Sequence, residues 1–288
     1  ELSFKINYYY QMDSNELTVV IVTFNSQSKI IDCLKPIPIQ SKIIIVENSN
    51  NKNFKRDLEN QYQNLECILT GENKGYSTAN NIGLKNVKTK YALVLNPDTI
   101  LDNNAIESFL VRAKKIEKFW LIGPATDQMI DFNLKENNLI EVENIKGFAI
   151  FFNLSMFKKD FFDENFFLYF EEIDLCKRVK DNNGKIYLDP KIKAKHKGAS
   201  SVDKITSIDL EKNRNWHWMW STFYFHRKHQ GFLLALINIM PNFISAFIKV
   251  IFYSLVINKK KRDIYYCRLS GIFNSIIGNK SWYRPPID

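Results

Sequence analysis

Three carboxylates fall within four positions in Glu171-Glu172-Ile173-Asp174, directly after the aromatic run Phe166-Phe167-Leu168-Tyr169-Phe170. Like charges crowd in this way where solvent, a metal or a substrate cation neutralises them, or where one stays protonated. A solvated first turn of a helix is the plainer alternative, because acids suit that position. A second acidic element, Leu95-Asn96-Pro97-Asp98-Thr99, lies about seventy residues upstream. There Tyr91-Ala92-Leu93-Val94-Leu95 reads as a buried strand and runs into a carboxylate. Hard divalent cations prefer oxygen ligands, although N-P-D is equally good turn chemistry. Together the two elements imply a metal or phosphate site at a strand end that faces a general base. That is the chemistry of group transfer from a diphosphate-linked substrate.

Such residues need a scaffold, and the hydrophobic pattern supplies one. Leu17 to Thr23 is a continuous β-branched run, the mark of a strand buried on both faces. Further strands are predicted at 42–46, 65–69, 91–95 and 119–122. Helical spacing lies between them at 28–34, 54–62, 75–84 and 103–116. The alternation implies a parallel sheet with helices on both faces. In such sheets ligands sit beyond the carboxyl ends of the strands, and Asn25, Glu47 and Asp98 collect there. Downstream, 145–152 is apolar, 171–179 has helical spacing, and 185–188 and 192–196 read as strands, the last ending at His196. The expected division is an N-terminal extension (1–16), a nucleotide-binding half (17–125), an acceptor and base half (126–212) and a basic aromatic helical extension (213–288).

The chain of 288 residues is 45% hydrophobic, enough for a sizeable core. Its formal net charge of +9 sits entirely after residue 203, where 13 Lys and Arg face 4 Asp and Glu. A basic tail on a neutral body points to an anionic surface, phospholipid or nucleic acid. Residues 232–257 form the most apolar stretch, with Asn238, Asn242, Ser245 and Lys249 as a narrow polar stripe. Pro241, the two Asn and Lys249 count against a spanning helix. A helix in the membrane plane is expected, with Lys259-Lys260-Lys261-Arg262 meeting lipid phosphates. A buried helix is the alternative. Nucleic-acid binding is not expected, because these cations flank an apolar helix. Cys33, Cys67, Cys176 and Cys267 form no CxxC pair, so neither a zinc site nor a disulfide framework is expected, and a reducing cytosol is the default. No signal peptide is visible, and Glu1 in place of Met points to a trimmed N-terminus.

Six motifs in order give residues 17–230 a family likeness. Val22-Thr23-Phe24-Asn25 matches a first-strand motif. Val46-Glu47-Asn48-Ser49 matches VDNxS with Glu for Asp. Asn73-Lys74-Gly75-Tyr76-Ser77-Thr78-Ala79-Asn80-Asn81-Ile82-Gly83 matches N-x-G-[FY]-x-x-A-N-N-x-G. Asn96-Pro97-Asp98 stands where a DxD element belongs. Phe162-Asp163-Glu164-Asn165-Phe166-Phe167, followed by Glu171-Glu172-Ile173-Asp174-Leu175, matches FDExFF…EDxDL. His196-Lys197-Gly198-Ala199-Ser200 matches H-x-G-x-S. The chain resembles the inverting family-2 glycosyltransferases, nearest to their bacterial branch of rhamnosyltransferases and other O-antigen or cell-wall sugar transferases.

The resemblance implies an α/β GT-A fold, a Rossmann-like mixed sheet with helices on both faces, followed by a helical membrane-associating extension. It implies transfer of a sugar from a nucleotide-diphosphate donor to a glycan or polyprenyl-linked glycan, at the cytoplasmic face of the cell membrane or in the cytoplasm. Asp98 and His196 would hold Mn²⁺ or Mg²⁺. Thr23, Asn25, Glu47, Gly75, Asn80, Asn81, Asn96 and Asp98 would bind the donor. Glu172 matches the general base, with Asp174 and Glu171 as rivals. Two other classes compete. A nucleotidyltransferase would need a basic Gly-rich loop after the first strand, where Thr23-Phe24-Asn25-Ser26 stands instead. A degenerate sugar-binding or membrane scaffold is the second, raised by the departures at Asn96, Glu47 and Glu172.

Overall fold

The computed structural model describes residues 16–116, 118–125, 138–158, 160–196 and 207–284, without the side chains of His196 and Ser207. In chain order the elements are β1 (Leu17–Thr23), α1 (Gln27–Leu34), β2 (Lys42–Glu47), α2 (Lys52–Gln61), β3 (Leu65–Leu69), α3 (Gly75–Asn86), β4 (Tyr91–Leu95), β5 (Thr99–Leu101), α4 (Ala105–Lys115), β6 (Leu121–Ala125), β7 (Ile140–Glu141), β8 (Ala149–Asn153), α5 (Glu171–Asp181), β9 (Ile186–His196), α6 (Ser207–Gln230), α7 (Phe232–Leu255) and α8 (Lys259–Ile276).

The strands form a mixed sheet in the order β3-β2-β1-β4-β8-β6-β9-β5, with β7 on β9. The expected parallel sheet is present over β3, β2, β1 and β4. Beyond β4 that expectation is corrected. The apolar run at 149–153 inserts as β8, antiparallel to both β4 and β6. The predicted fifth strand, now β6, therefore never touches β4. All five residues of β8 are buried, and such a continuous apolar run carries no record of its direction. The two short strands predicted at 185–188 and 192–196 are one strand, β9, whose pairing with β6 shifts register between Pro124 and Ala125.

Side chains alternate across the sheet with the two-residue period of a strand. Leu17, Val19, Ile21, Ile43, Ile45, Leu93 and Leu95 face one core, shared with Ile30 and Leu34 of α1, Phe54 and Leu58 of α2, and Phe109 of α4. Val20, Ala92 and Val94 face the other, against Leu84 of α3 and Leu175, Cys176 and Val179 of α5. Because both faces are covered, the strands read as unbroken apolar runs. All four cysteines are buried free thiols.

The last three helices pack on one another through Met219, Phe223, Ala235, Ile239 and Ile272. Along α7 only Ala235, Ile239 and Ala246 are buried, while Leu233, Ile237, Ile244, Phe247, Ile248, Ile251 and Leu255 are exposed. The helix is long and apolar enough to cross a membrane by length and composition alone. Of the polar stripe, Asn238 donates to Gln230 at the end of α6, and Lys249 lies over the Tyr265 ring of α8.

Candidate active site

Just past β1, Asn25 sits in the left-handed region at φ 48°. Asn tolerates that conformation better than most residues, at a cost of about 1 kcal/mol. Its side chain is buried, and Nδ2 has no hydrogen-bond partner among the described residues. A strained residue with an unused amide at a strand end is a place for a ligand acceptor. Glu47, at the end of β2, is sealed from solvent. Its Oε2 accepts from the Thr23 hydroxyl at 2.6 Å, and its Oε1 accepts from the Ser49 amide at 2.8 Å and from the Ser49 hydroxyl. Both carboxylate oxygens and the Thr23 hydroxyl are therefore engaged within the chain. Glu47 and Thr23, both expected at the donor, thus bond each other at the strand ends. They join the ends of β1 and β2 and fix the loop between β2 and α2.

The next residue organises a second loop. Asn48 donates to the Asn73 side chain at 3.0 Å and to the Gly75 carbonyl at 3.3 Å, and accepts from the Lys74 amide at 2.9 Å. Gly75 then opens α3 at φ 82°, where a Cβ would lie 2.4 Å from the Phe167 ring and 2.7 Å from the Phe167 carbonyl oxygen. Only glycine fits both the backbone angle and the space. Gly75→Ala is expected to cost about 2–4 kcal/mol, from left-handed strain plus overpacking. Urea unfolding read by circular dichroism checks this, and an unchanged midpoint would show that the Phe167 segment yields freely.

Asn96 follows β4, and its amide donates to the Phe148 carbonyl at 2.9 Å. Asp98 is buried two residues on. β5 pairs antiparallel with β9 so that Thr99 lies opposite His196. The fold thus brings the His196 position beside Asp98 although about a hundred residues separate them. The His196 ring and residues 197–200 of the expected turn lie outside the described residues. The fit of a divalent cation rests on the donors present. Asp98 offers carboxylate oxygens, and the Asn96 Oδ1 is buried with no hydrogen-bond partner among the described residues. Both are hard oxygen donors. Among the described residues no group of three His, Cys, Asp or Glu converges on one point. The set therefore suits a cation held mainly through substrate phosphates, as Mg²⁺ commonly is.

Facing this strand end is the start of α5. Tyr169 and Phe170 both adopt φ 69°, two successive left-handed residues that aim the following glutamates. Glu171 is buried and Glu172 is partly buried. In each, Oε2 is sealed and has no hydrogen-bond partner among the described residues. Burial pushes the Glu171 carboxyl well above the usual carboxylate range, reinforced by the charge of Glu172. Burial also raises the Glu172 carboxyl, opposed by amides at the helix start and by Lys146. A Cβ on Gly147 would lie 3.4 Å from the Glu172 Cβ, so Glu172 runs along the loop whose next residue, Phe148, holds Asn96. The Tyr76 hydroxyl donates to the Gly147 carbonyl at 2.7 Å. Its own ionisation is pushed far up by burial and by the charges of Glu171, Glu172 and Asp98. These three carboxylates therefore lie around one partly buried tyrosine.

Asp174 and Asn81, both predicted in the site, are engaged elsewhere. Asp174 is 0% exposed. It accepts from Arg178 at 2.8 Å, from Lys228 at 2.7 Å and from His229 at 2.8 Å. With its oxygens taken by Arg178, Lys228 and His229, its place in the fold is a fastening of α6 to α5. Asp174→Ala leaves these partly exposed cations without their counter-charge and is expected to cost about 3 kcal/mol. Tm should fall by roughly 5–10 °C, and thermal melts with an Asp174→Asn comparison test it; an unmoved Tm would deny the clamp. Asn81 donates to the Phe162 carbonyl at 2.8 Å and to Glu164 at 2.9 Å, and accepts from the Phe162 amide at 3.0 Å. It ties α3 to the segment before α5. Asn80 keeps a buried Oδ1 without a partner among the described residues and remains able to meet a ligand. Sequence reasoning missed Tyr76, Gly147 and the anchoring cations Lys228 and His229. Only Tyr76, inside a motif, carried a signal.

Comparison with known proteins gives a family model, glycosyl transferase family 2, matching residues 18–175. The low-salt glycan biosynthesis hexosyltransferase Agl10 of Haloferax volcanii is 24% identical over 196 residues, covering 59% of this chain and 63% of that protein. The teichoic acid poly(glycerol phosphate) polymerase of Staphylococcus epidermidis is 28% identical over 145 residues, covering 43% of this chain and 20% of that protein. The chain thus spans less than two thirds of the length of both relatives. Among solved structures, the mannosyltransferase PcManGT from Pyrobaculum calidifontis, in complex with GDP-Man and Mn²⁺, has a TM-score of 0.57 at 11% identity, covering 91% of this chain and 87% of that one. S. aureus TarS 1–349 gives 0.54 at 12% identity, covering 93% of each. At such identities the likeness is one of fold, and it is the mixed α/β fold expected from the sequence.

Proposed function

Because the chain belongs to glycosyl transferase family 2, we propose that it moves a hexose or a deoxyhexose such as rhamnose from a nucleoside-diphosphate donor to a hydroxyl of a glycan, with inversion. One observation carries this reading: two adjacent glutamates, each with one sealed oxygen without a hydrogen-bond partner among the described residues, lie around the same tyrosine as Asp98. Glu172 takes the proton from the acceptor hydroxyl as that oxygen attacks the anomeric carbon. Attack from the face opposite the diphosphate inverts the centre. Glu171 stays protonated beside it, since two such neighbours do not both ionise readily. Asn25 and Asn80 meet the donor through unused amide groups, while Glu47, Thr23 and Asn48 hold the loops that shape its pocket. A bound divalent cation would be held by Asp98 and Asn96, with His196 beside them, and would offset charge on the leaving diphosphate.

The test is nucleoside diphosphate release across a panel of nucleotide sugars (dTDP-rhamnose and UDP- and GDP-hexoses), each with Mn²⁺, Mg²⁺ or EDTA. Metal-dependent release from one donor supports the reading and identifies the sugar. Neither release nor nucleotide binding by calorimetry would overturn it in favour of a non-catalytic sugar-binding scaffold.

The exposed apolar face of α7, followed by Lys259, Lys260, Lys261 and Arg262, supports a peripheral position on an anionic membrane. A polyprenyl-linked glycan in surface polysaccharide synthesis is the acceptor such a position would serve. The protein is expected to float with vesicles containing anionic lipid and to float less with zwitterionic vesicles or at high salt. Equal behaviour with all vesicles, or none floating, counts against this placement.

A further inference from the structure

Helix α6 carries three tryptophans at alternate positions, and they differ in environment. Trp216 and Trp220 are buried, and their indole N–H groups donate to Ser270 and to the Asn279 carbonyl. Trp218 is 46% exposed, and its N–H has no hydrogen-bond partner among the described residues. Its ring is not isolated, however. The Tyr169 ring meets it edge-on, with centroids 5.3 Å apart, and the Phe170 ring is also 5.3 Å away. These are the two left-handed residues that immediately precede Glu171.

Backbone strain of this kind persists only where the surroundings over-determine it. Here α6 does so. Ser221 donates to the Leu168 carbonyl at 2.9 Å, and Asp174 binds Lys228 and His229. The strained turn and the helix together hold one exposed indole, Trp218, against two partly buried rings, Tyr169 and Phe170, next to the glutamate pair in the chain. The charges of both glutamates act on two tyrosines, Tyr76 and Tyr169. Tyr76 also senses Asp98, on the strand-end side, whereas Tyr169 also senses Arg214 of α6. The aromatic surface is thus on the side of the pair turned towards α6.

A pyranose presents an apolar C–H face and a rim of hydroxyls. An exposed indole offers a flat apolar face with a donor at its edge, and the phenol standing edge-on beside it adds a hydroxyl, which matches that chemistry. We infer that Trp218, with Tyr169, forms the binding platform for the sugar ring of the acceptor, which places an acceptor-contact residue on α6 rather than in the catalytic half. This rests on the glycosyltransferase reading above. On it, the acceptor ring stacks on Trp218 with one hydroxyl directed at Glu172.

The experiment uses octyl glucoside, galactoside and mannoside as acceptor probes below their micelle concentrations, with the donor identified from the panel. Two readouts are taken on the whole chain: acceptor KM, and saturation-transfer NMR onto the sugar ring protons. Trp218→Ala is expected to raise acceptor KM about tenfold or more, as loss of a central aromatic contact does. It is expected to abolish ring saturation, with donor affinity by calorimetry as the check on folding. Trp218→Phe should restore most of both. Wild-type acceptor KM and ring saturation in Trp218→Ala would overturn the inference. So would a wild type that turns over donor yet saturates no ring in the panel. A wild type that neither binds nor turns over any donor defeats the glycosyltransferase reading itself, a result separate from these.

Discussion

Glu172→Gln is expected to abolish sugar transfer, lowering kcat by about 10²–10⁴-fold, the usual worth of a positioned general base. The substitution keeps the shape of the side chain along Gly147 and removes only its ability to accept a proton. Donor affinity should therefore hold while turnover falls. The pH profile supplies a second reading. A base acts when ionised, so activity rises with pH through its pKa. Burial raises that pKa, so the acidic limb of kcat/KM should lie above the ordinary carboxylate range. Stability responds in the opposite sense. The unfolded chain ionises Glu171 and Glu172 at ordinary values while the folded chain still holds the protons. Stability is then lost as pH rises from the unfolded carboxylate value towards the raised one. Glu171→Gln should accordingly stabilise the protein more at neutral pH than in acid. Thermal melts at both pH values, together with rates for Glu172→Gln, decide the matter. Full activity in Glu172→Gln would transfer the base role to Glu171.

Asp98→Ala is expected to remove the metal response of donor turnover. Loss of the charge stabilisation a cation gives to a leaving diphosphate amounts to several kcal/mol, a fall of about a hundredfold or more. In Mn²⁺ titrations the wild type should climb from its EDTA baseline, and the variant should stay near it. Asp98 is buried next to β5, whose pairing with β9 shapes the strand end, so Asp98→Asn is the necessary companion. It preserves the shape and weakens only the charge. If both variants keep wild-type metal dependence, Asp98 is a turn residue and the cation is held elsewhere.

Much of the fold was legible because buried strands leave an unmistakable record. The runs at 17–23 and 91–95 form strands over those same residues, since a strand covered on both faces is apolar or β-branched almost throughout, and the shorter run at 65–69 does so as well. The antiparallel insertion of β8 was not legible, because the apolar run at 149–153 is equally compatible with either direction. The three-residue β5 was missed, being too short to show a period. Helix α8 lies within the helical extension expected over 213–288, but its bounds and its inward face of Ile264, Cys267 and Ile272 were not legible behind its opening basic run.

The site divides along the same line. Sequence by itself determined the kinds of chemistry present: carboxylates at two strand and helix starts, amides in a glycine-bearing motif, and a basic apolar tail. Only tertiary structure decided which of those groups remain available to a ligand. Glu47, Asn81 and Asp174 look as chemically capable in sequence as Asn25, Asn80 and Glu172. Their partners, Thr23 and Ser49, Phe162 and Glu164, and Lys228 and His229, come from other elements. A polar group acts on a substrate only if folding leaves its hydrogen-bonding capacity unused. That remainder is set by long-range packing, which no local pattern of residues encodes.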